Sequence, residues 1–217
     1  MPSLVGSEMC IRDSFLNVQR RMPNSLGVLT SNMFYNGLVA NSADAPPDTK
    51  GSFAWIVISD LQESCAFGKV QEKPFPCFIS AVLCKRLVTM FENEGYSVSV
   101  LCYYKDQVKM LMNTMNLKKV FSVDTFQGEE DEIIIGNGCR YTFGGFVNDP
   151  RRFNVLCTRA TKFCVFLSCR NLIDAPVHWP LTHPTPARGR TTPSVTALSK
   201  QYWSAMAWYA HESERLY

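Results

Sequence analysis

The spacing of apolar residues predicts alternating strands and helices over most of the chain. Strands buried inside a parallel sheet are short apolar runs, whereas helices repeat apolar residues every three to four positions. The first pattern predicts strands at residues 53–59, 96–103, 120–123, 133–135 and 163–167. The second predicts helices at 78–92, at 105–115 and from Asp149 or Pro150 to about Ala160. This order favours an α/β fold in which helices flank a mostly parallel sheet.

Segments without such periodicity divide the chain further. Residues 1–14 are interpreted as a leader that is not native to the protein, and residues 16–39 as a turn-rich entry segment. Residues 61–76 are predicted to form a loop or insertion. The folded domain is expected to span residues 15–173, followed by a proline-rich linker at 174–194. The tail at 195–217 would form at most one short helix.

Composition is that of a packed globular protein, with 46% hydrophobic and 19% charged residues. No apolar run is long enough to cross a bilayer and none resembles a secretion signal, so a cytoplasmic or nuclear location without a membrane partner is expected. The nine cysteines are scattered and form no C-x-x-C pair. We therefore expect reduced, mostly buried thiols and no metal site.

Charge is distributed unevenly although the net charge is only +3. Residues 124–132 contain five acids and no base, whereas residues 151–190 contain seven Lys or Arg and one acid. Such segregation suggests charges placed for binding, although an ordinary solvated surface is the alternative.

Two polar segments are candidates for phosphate or nucleic-acid contacts. A helix begun at Pro150 would place Arg152 and Arg159 on one face, and guanidinium groups suit phosphate oxygens. The alternative is an amphipathic helix with solvated arginines. At the start of the helix at 105–115, Tyr104, Lys105 and Gln107 could hold a nucleic-acid backbone or simply cap the helix.

A third polar segment, residues 123–132, lies between two predicted strands. Thr125 and Gln127 supply neutral hydrogen-bonding groups, and Gly128 permits a tight turn. A polar turn without function is the alternative. The pair Asp131 and Glu132 precedes its strand, so it is not assigned as a magnesium site.

The order and spacing of these segments resemble superfamily 1 helicases of the nonsense-mediated-decay and senataxin type. The matching stretches are residues 19–22, 31–38, 98–107, 123–130 and 148–160. They cover most of residues 15–173, and the last two are highly specific. The resemblance implies the C-terminal, second RecA-like domain of such a helicase.

The resemblance also implies roles for individual residues. Arg159, in Thr-Arg-Ala, would be the catalytic arginine finger, Arg21 a second contact to the γ-phosphate of ATP, and Glu130 an acceptor for the ribose. Tyr104, Thr125 and Gln127 would lie on the nucleic-acid surface, and Arg152 is a further candidate for a phosphate contact. Two departures affect these expectations: Arg20 replaces a tyrosine that stacks on adenine, and Cys102-Tyr103 replaces Thr-Pro.

The chain contains no G-x-x-x-x-G-K-[ST] motif, which is the sequence that cradles ATP phosphates. We therefore expect ATP with Mg²⁺ to be held mainly by an N-terminal RecA-like domain of the same parent chain. The parent would be an ATP-dependent helicase on single-stranded RNA or DNA, whereas this chain alone would be inactive. The alternatives are a stand-alone nucleic-acid-binding or regulatory module, and a protein-interaction scaffold.

Overall fold

A five-stranded parallel sheet forms the centre of the computed structural model, which describes residues 16–48, 52–58, 76–138, 147 and 149–169. The predicted α/β fold with a parallel sheet is therefore confirmed. The leader at 1–14, almost all of the loop at 61–76, the linker at 174–194 and the tail at 195–217 lie outside the described residues.

The strands run in the order β3-β7-β6-β4-β5, and every neighbouring pair is parallel. Their bounds are Phe53–Ile58 (β3), Val98–Cys102 (β4), Val120–Ser122 (β5), Asp131–Asn137 (β6) and Ala160–Cys169 (β7). Two short parallel strands, β1 (Val18–Gln19) and β2 (Ala40–Asn41), form a separate pair. The helices are α1 (Asn24–Phe34), α2 (Phe78–Asn93), α3 (Lys105–Asn113) and α4 (Pro150–Cys157).

The helices cover both faces of the sheet, as two successive residues of β6 show. Side chains alternate between the faces of a strand, so Gly136 and Asn137 point in opposite directions. A Cβ atom added at Gly136 would lie 2.6 Å from Leu156 of α4, whereas the Asn137 amide donates to Ser80 of α2 at 3.1 Å. Helix α4 with its neighbour α1 therefore lies on one face, and α2 with its neighbour α3 lies on the other.

Large aromatic side chains fill the core between β3, β7 and α4. Trp55 stacks on Phe166 with ring centroids 5.2 Å apart, and its indole N–H donates to Ser168 at 2.8 Å. Phe153 of α4 meets Phe166 edge-on at 6.2 Å. This packing fixes the helix against the strand that follows it. In the described part of the chain no helix is long and apolar enough to span a bilayer.

The prediction of a turn-rich segment over residues 16–39 is wrong, because α1 occupies Asn24–Phe34. Leu26, Leu29 and Met33 repeat at helical spacing and are buried. Thr30 is buried with them, since its hydroxyl donates to the Leu26 carbonyl at 2.9 Å instead of to water. The polar and glycine residues among these apolar positions concealed the helical period.

Candidate functional site

Arg21, Glu130 and Arg159 converge where β6 and β7 begin. The strands pair Asp131 with Ala160, and the Asp131 amide donates to the Arg159 carbonyl at 3.2 Å. Glu130 and Arg159 each precede one of these paired residues, so the register of the sheet places them side by side. Arg21 completes the group because its Nε donates to Glu130 Oε2 at 2.5 Å. We call this group the amino-edge cluster.

Gln19 shapes the turn that presents Arg21, a role that the sequence motif alone did not assign. The Gln19 side chain accepts from the Met22 amide at 2.8 Å and donates to the Met22 carbonyl at 3.0 Å. The Gln19 side chain thereby closes the turn by bonding both the amide and the carbonyl of Met22. Arg21 also donates to the Thr158 carbonyl at 3.3 Å, which ties the turn to the end of α4.

The Arg159 guanidinium is held by backbone carbonyls and the Thr158 hydroxyl instead of by a carboxylate. Its guanidinium donates to the carbonyls of Val155 at 3.1 Å and Glu129 at 3.4 Å. Burial lowers the pKa of Arg159, and the like charge of Arg21 lowers it further, while Glu130 acts in the opposite direction. Two guanidinium groups thus lie near a single carboxylate that pairs with only one of them, so an entering anion such as a phosphate would be favoured.

Arg152 does not join this cluster, so the prediction that Arg152 and Arg159 share a helix face is wrong. Helix α4 ends at Cys157, and Arg159 lies in the connection to β7. The Arg152 guanidinium instead binds Asp124 through Nε at 2.7 Å and Nη2 at 3.1 Å.

The two acidic residues at the start of β6 hold that strand to its neighbours through hydrogen bonds and ion pairs. Asp131 accepts from the Ser99 hydroxyl at 2.6 Å and from the Lys119 ammonium at 3.3 Å. Glu132 accepts from the Ser97 amide at 2.9 Å and pairs with Lys162 at 2.7 Å. Within the ranges that the structure covers, no three His, Cys, Asp or Glu residues are grouped as metal ligands.

The predicted nucleic-acid residues Tyr104 and Thr125 lie at the opposite edge of the sheet, after β4 and β5. The two strands are neighbours, and the Val123 amide donates to the Cys102 carbonyl at 3.0 Å, which extends their pairing by one residue. Thr125 is exposed, and its hydroxyl donates to the Ser122 carbonyl at 2.9 Å. We call this side of the sheet the carboxyl edge.

Residues 123–130 run from the carboxyl edge to the amino-edge cluster, and we call them the crossing segment. Phe126 anchors the crossing segment in the core, with its ring centroid 5.1 Å from that of Phe121. Gly128 adopts a φ of 97°, a conformation that other residues rarely adopt, as predicted for a tight turn. Gln127 lies between these two residues with its side chain exposed.

Gln107 was a candidate for contact with a nucleic-acid backbone, but the structure buries it. Its side-chain oxygen accepts from the Cys77 amide at 2.7 Å, and its amide group donates to the Cys77 carbonyl and the Ser80 hydroxyl, both at 3.1 Å. Gln107 therefore joins α3 to the start of α2 and cannot reach an external ligand. Lys105 is exposed at the start of α3.

Five cysteines are buried and free of disulfides. This confirms the expectation of buried thiols for Cys77, Cys84, Cys102, Cys157 and Cys164. Burial raises the pKa of Cys84 to about 12, against the opposing effect of a hydrogen bond from Asn137. A thiol in that environment stays protonated and unreactive near neutral pH.

A family model described as an AAA domain matches residues 4–171, which is well over half of the chain. The chain belongs to this AAA domain family. The AAA domain is also 29% identical over 187 residues to the Regulator of nonsense transcripts 1 of Dictyostelium discoideum, which covers 76% of this chain and 14% of that protein.

Two further relatives of this AAA domain are fungal. It is 32% identical over 188 residues to the ATP-dependent helicase upf1 of Schizosaccharomyces pombe, covering 76% of this chain and 20% of that protein. It is 30% identical over 176 residues to the ATP-dependent helicase NAM7 of Saccharomyces cerevisiae, covering 70% and 18%. The predicted resemblance to helicases of the nonsense-mediated-decay type is confirmed, although the chain spans a fifth or less of these relatives.

One similar solved structure is the C-terminal domain of a possible DNA helicase from Lactobacillus plantarum WCFS1. It covers 70% of this chain and 88% of that chain, with a TM-score of 0.47 and 8% sequence identity.

Proposed function

We propose that the chain is the C-terminal motor domain of an ATP-dependent helicase that acts on single-stranded RNA or DNA, with Arg159 as its arginine finger. The observation that carries the proposal is the convergence of Arg21, Glu130 and Arg159 in the amino-edge cluster. Membership of the AAA domain family and similarity to proteins named ATP-dependent helicases support it.

The residues of the amino-edge cluster fit a nucleoside triphosphate. Arg159 and Arg21 would hold the γ-phosphate, where a guanidinium neutralises charge that spreads onto the phosphoryl oxygens during transfer. Glu130 would accept from the ribose. A carboxylate has about four acceptor positions, so Glu130 can keep Arg21 in place and still receive a hydroxyl. ATP and Mg²⁺ would be held mainly by an N-terminal RecA-like domain of the same parent chain.

The carboxyl edge would carry the nucleic acid on Tyr104, Thr125 and Gln127. Contacts to phosphate and sugar do not read bases, so binding independent of sequence is expected. The Thr125 hydroxyl already donates to the Ser122 carbonyl at 2.9 Å. A phosphate contact by Thr125 would therefore require this hydroxyl proton to turn away from Ser122.

The test of the arginine finger is a chimera in which this chain replaces the matched segment of the Schizosaccharomyces pombe helicase. Arg159→Ala should lower its ATP turnover by about 10³-fold, because one transition-state charge partner is lost. Arg151→Ala is the matched control, since Arg151 is highly exposed and pairs with Asp149. A folded chimera that hydrolyses ATP equally well with and without Arg159 would refute the role.

The chain by itself should show no ATP turnover, because it lacks a G-x-x-x-x-G-K-[ST] motif. Purified protein can be assayed for phosphate release with and without single-stranded RNA. Turnover that Arg159→Ala abolishes would overturn this expectation, since the chain would then contain a complete hydrolytic site.

A further inference from the structure

Arg152 forms a bridge between two parts of the chain that are 28 positions apart in sequence. Its Nε and Nη2 atoms donate to the two carboxylate oxygens of Asp124 at 2.7 and 3.1 Å, the paired geometry that makes an arginine–carboxylate contact specific. Its Nη1 donates to Asp149 at 3.4 Å. Only 27% of the Arg152 side chain is exposed, so the bridge is partly shielded from water.

The bridge connects the two elements that run between the edges of the sheet. Asp124 immediately precedes Thr125 in the crossing segment, and Arg152 lies in the first turn of α4. Just beyond the other end of α4, Arg159 donates to the carbonyl of Glu129, near the end of the crossing segment, at 3.4 Å. The crossing segment is thus bound to the first turn of α4 at the carboxyl edge, and to the connection that follows α4 at the amino-edge cluster.

The surroundings of Arg152 are unsuited to direct phosphate binding. Its guanidinium contacts the carboxylates of Asp124 and Asp149, and both would repel an incoming phosphate. The hydrogen bond to Asp124 also raises the pKa of Arg152. Asp149 is itself engaged as the N-cap of α4, where it accepts from the Arg151 amide at 2.9 Å.

We propose that Arg152 is a positioning residue, whose pairing with Asp124 fixes the Thr125 turn to α4 and so links the nucleic-acid edge to the helix that precedes Arg159. The inference rests on the proposed function for the role of Thr125, but the positioning itself does not. Arg152 therefore acts on the nucleic acid through the crossing segment and is not itself a phosphate ligand.

Amide hydrogen exchange on the full chain tests the positioning without any ligand. The amides of Val123, Thr125 and Phe126 are all hydrogen-bonded in the native turn. Asp124→Asn and Arg152→Gln should each speed their exchange about fivefold, because a partly shielded ion pair is lost. Arg151→Gln is the matched control and should leave them unchanged. Equal exchange in all variants would overturn the proposal.

Binding of a fluorescent single-stranded oligo(U) across a salt series tests the functional consequence. If Arg152 only positions the turn, Asp124→Asn and Arg152→Gln each weaken binding about fivefold, and the double variant is no weaker than either. If Arg152 instead binds phosphate directly, Asp124→Asn should strengthen oligo(U) binding, because it removes a carboxylate that competes for Arg152. Direct phosphate binding also predicts that Arg152→Gln lowers the salt slope by about 0.7.

The two experiments separate failure of this inference from failure of the proposed function. Wild-type protein that binds no oligo(U) contradicts the nucleic-acid role, and the exchange data alone then decide whether Arg152 positions the turn. Faster exchange with unchanged binding shows that the turn does not carry the nucleic acid, and it overturns the link proposed here. Arg152→Lys keeps the charge but loses the fork, so its exchange should lie between wild type and Arg152→Gln.

Discussion

Replacement of Gln107 by leucine tests the finding that this side chain is an internal clamp. Gln107 is only 5% exposed and makes three hydrogen bonds to residues at the start of α2. The backbone amide of Gln107 also donates to the carbonyl of Tyr104, the N-cap residue of α3, at 3.1 Å, and this bond does not depend on the side chain. The sequence had placed Gln107 among possible ligand contacts, so the two interpretations predict different behaviour.

The size of the effect follows from which groups would lose their partners. The Cys77 amide would lose its acceptor while remaining buried, at a cost of about 1–3 kcal/mol. The Cys77 carbonyl would keep donors from Ser80 and Ala81, and the Ser80 hydroxyl would keep the amide of Asn137. We therefore expect a loss of about 2 kcal/mol in the free energy of unfolding, since a buried leucine offsets part of the cost.

Urea unfolding provides the measurement, followed by circular dichroism. With a slope of about 2 kcal/mol per molar, the midpoint should fall by about 1 M at unchanged slope. Gln127→Leu is the same substitution at an exposed site, and it should change the free energy of unfolding by less than about 0.5 kcal/mol. If Gln107→Leu and Gln127→Leu have equal midpoints, Gln107 is not sequestered and the clamp does not exist.

Three further predictions concern the sheet and its thiols. Gly136→Ala should destabilise the fold by about 1–3 kcal/mol in urea unfolding, because its Cβ would lie 2.6 Å from buried Leu156. The double variant with Leu156→Ala should lose less free energy of unfolding than the sum of the two single variants, and additive losses would count against this cause. Cys84, whose pKa is about 12, should react with iodoacetamide at pH 8 only on unfolding, and rapid labelling of native protein would contradict its burial. Burial alone would raise the pKa of Asp131, but hydrogen bonds from Ser97, Ser99 and Lys119 and from the Glu132 backbone amide outweigh burial and lower that pKa below its usual range. The contribution of the Asp131 carboxylate to the free energy of unfolding is therefore present above about pH 4 and lost as pH falls further. Asp131→Asn should accordingly make the free energy of unfolding depend less on pH in that range.

The sheet could be predicted from the sequence because its strands are nearly continuous apolar runs. Every residue of β4 is buried, so no polar alternation obscured the pattern. The predicted strand at 133–135 is longer in the structure, Asp131–Asn137, because its polar ends are satisfied by partners distant in sequence. Helix α1 was missed for a related reason, since buried Thr30 and Ser31 look like loop residues until their hydrogen bonds are known.

The membership of the amino-edge cluster was predicted from the family resemblance, but its geometry depends on strand register. Arg21 and Glu130 are 109 positions apart, and no local pattern specifies their contact. Arg152 and Gln107 show where residue type and position along a helix predict a contact incorrectly. Each lies in the first turn of a helix, where exposure to a ligand is plausible, and only the neighbouring elements decide that Arg152 pairs with Asp124 and that Gln107 is buried. Their residue types alone could not distinguish a ligand contact from an internal one.

The separation of the two candidate sites constrains how one could affect the other. The amino-edge cluster and the Thr125 turn lie at opposite ends of parallel strands, so no single side chain can touch ligands at both. The crossing segment spans that distance, and so does α4 with the short connection to Arg159; contacts at Asp124–Arg152 and Glu129–Arg159 join the two at each end. These two contacts restrict independent movement of the crossing segment and α4, because displacement of one element must stretch a contact to the other. A shift of Arg159 toward a phosphate would therefore be carried to Thr125 through α4 as well as through the backbone of residues 123–130.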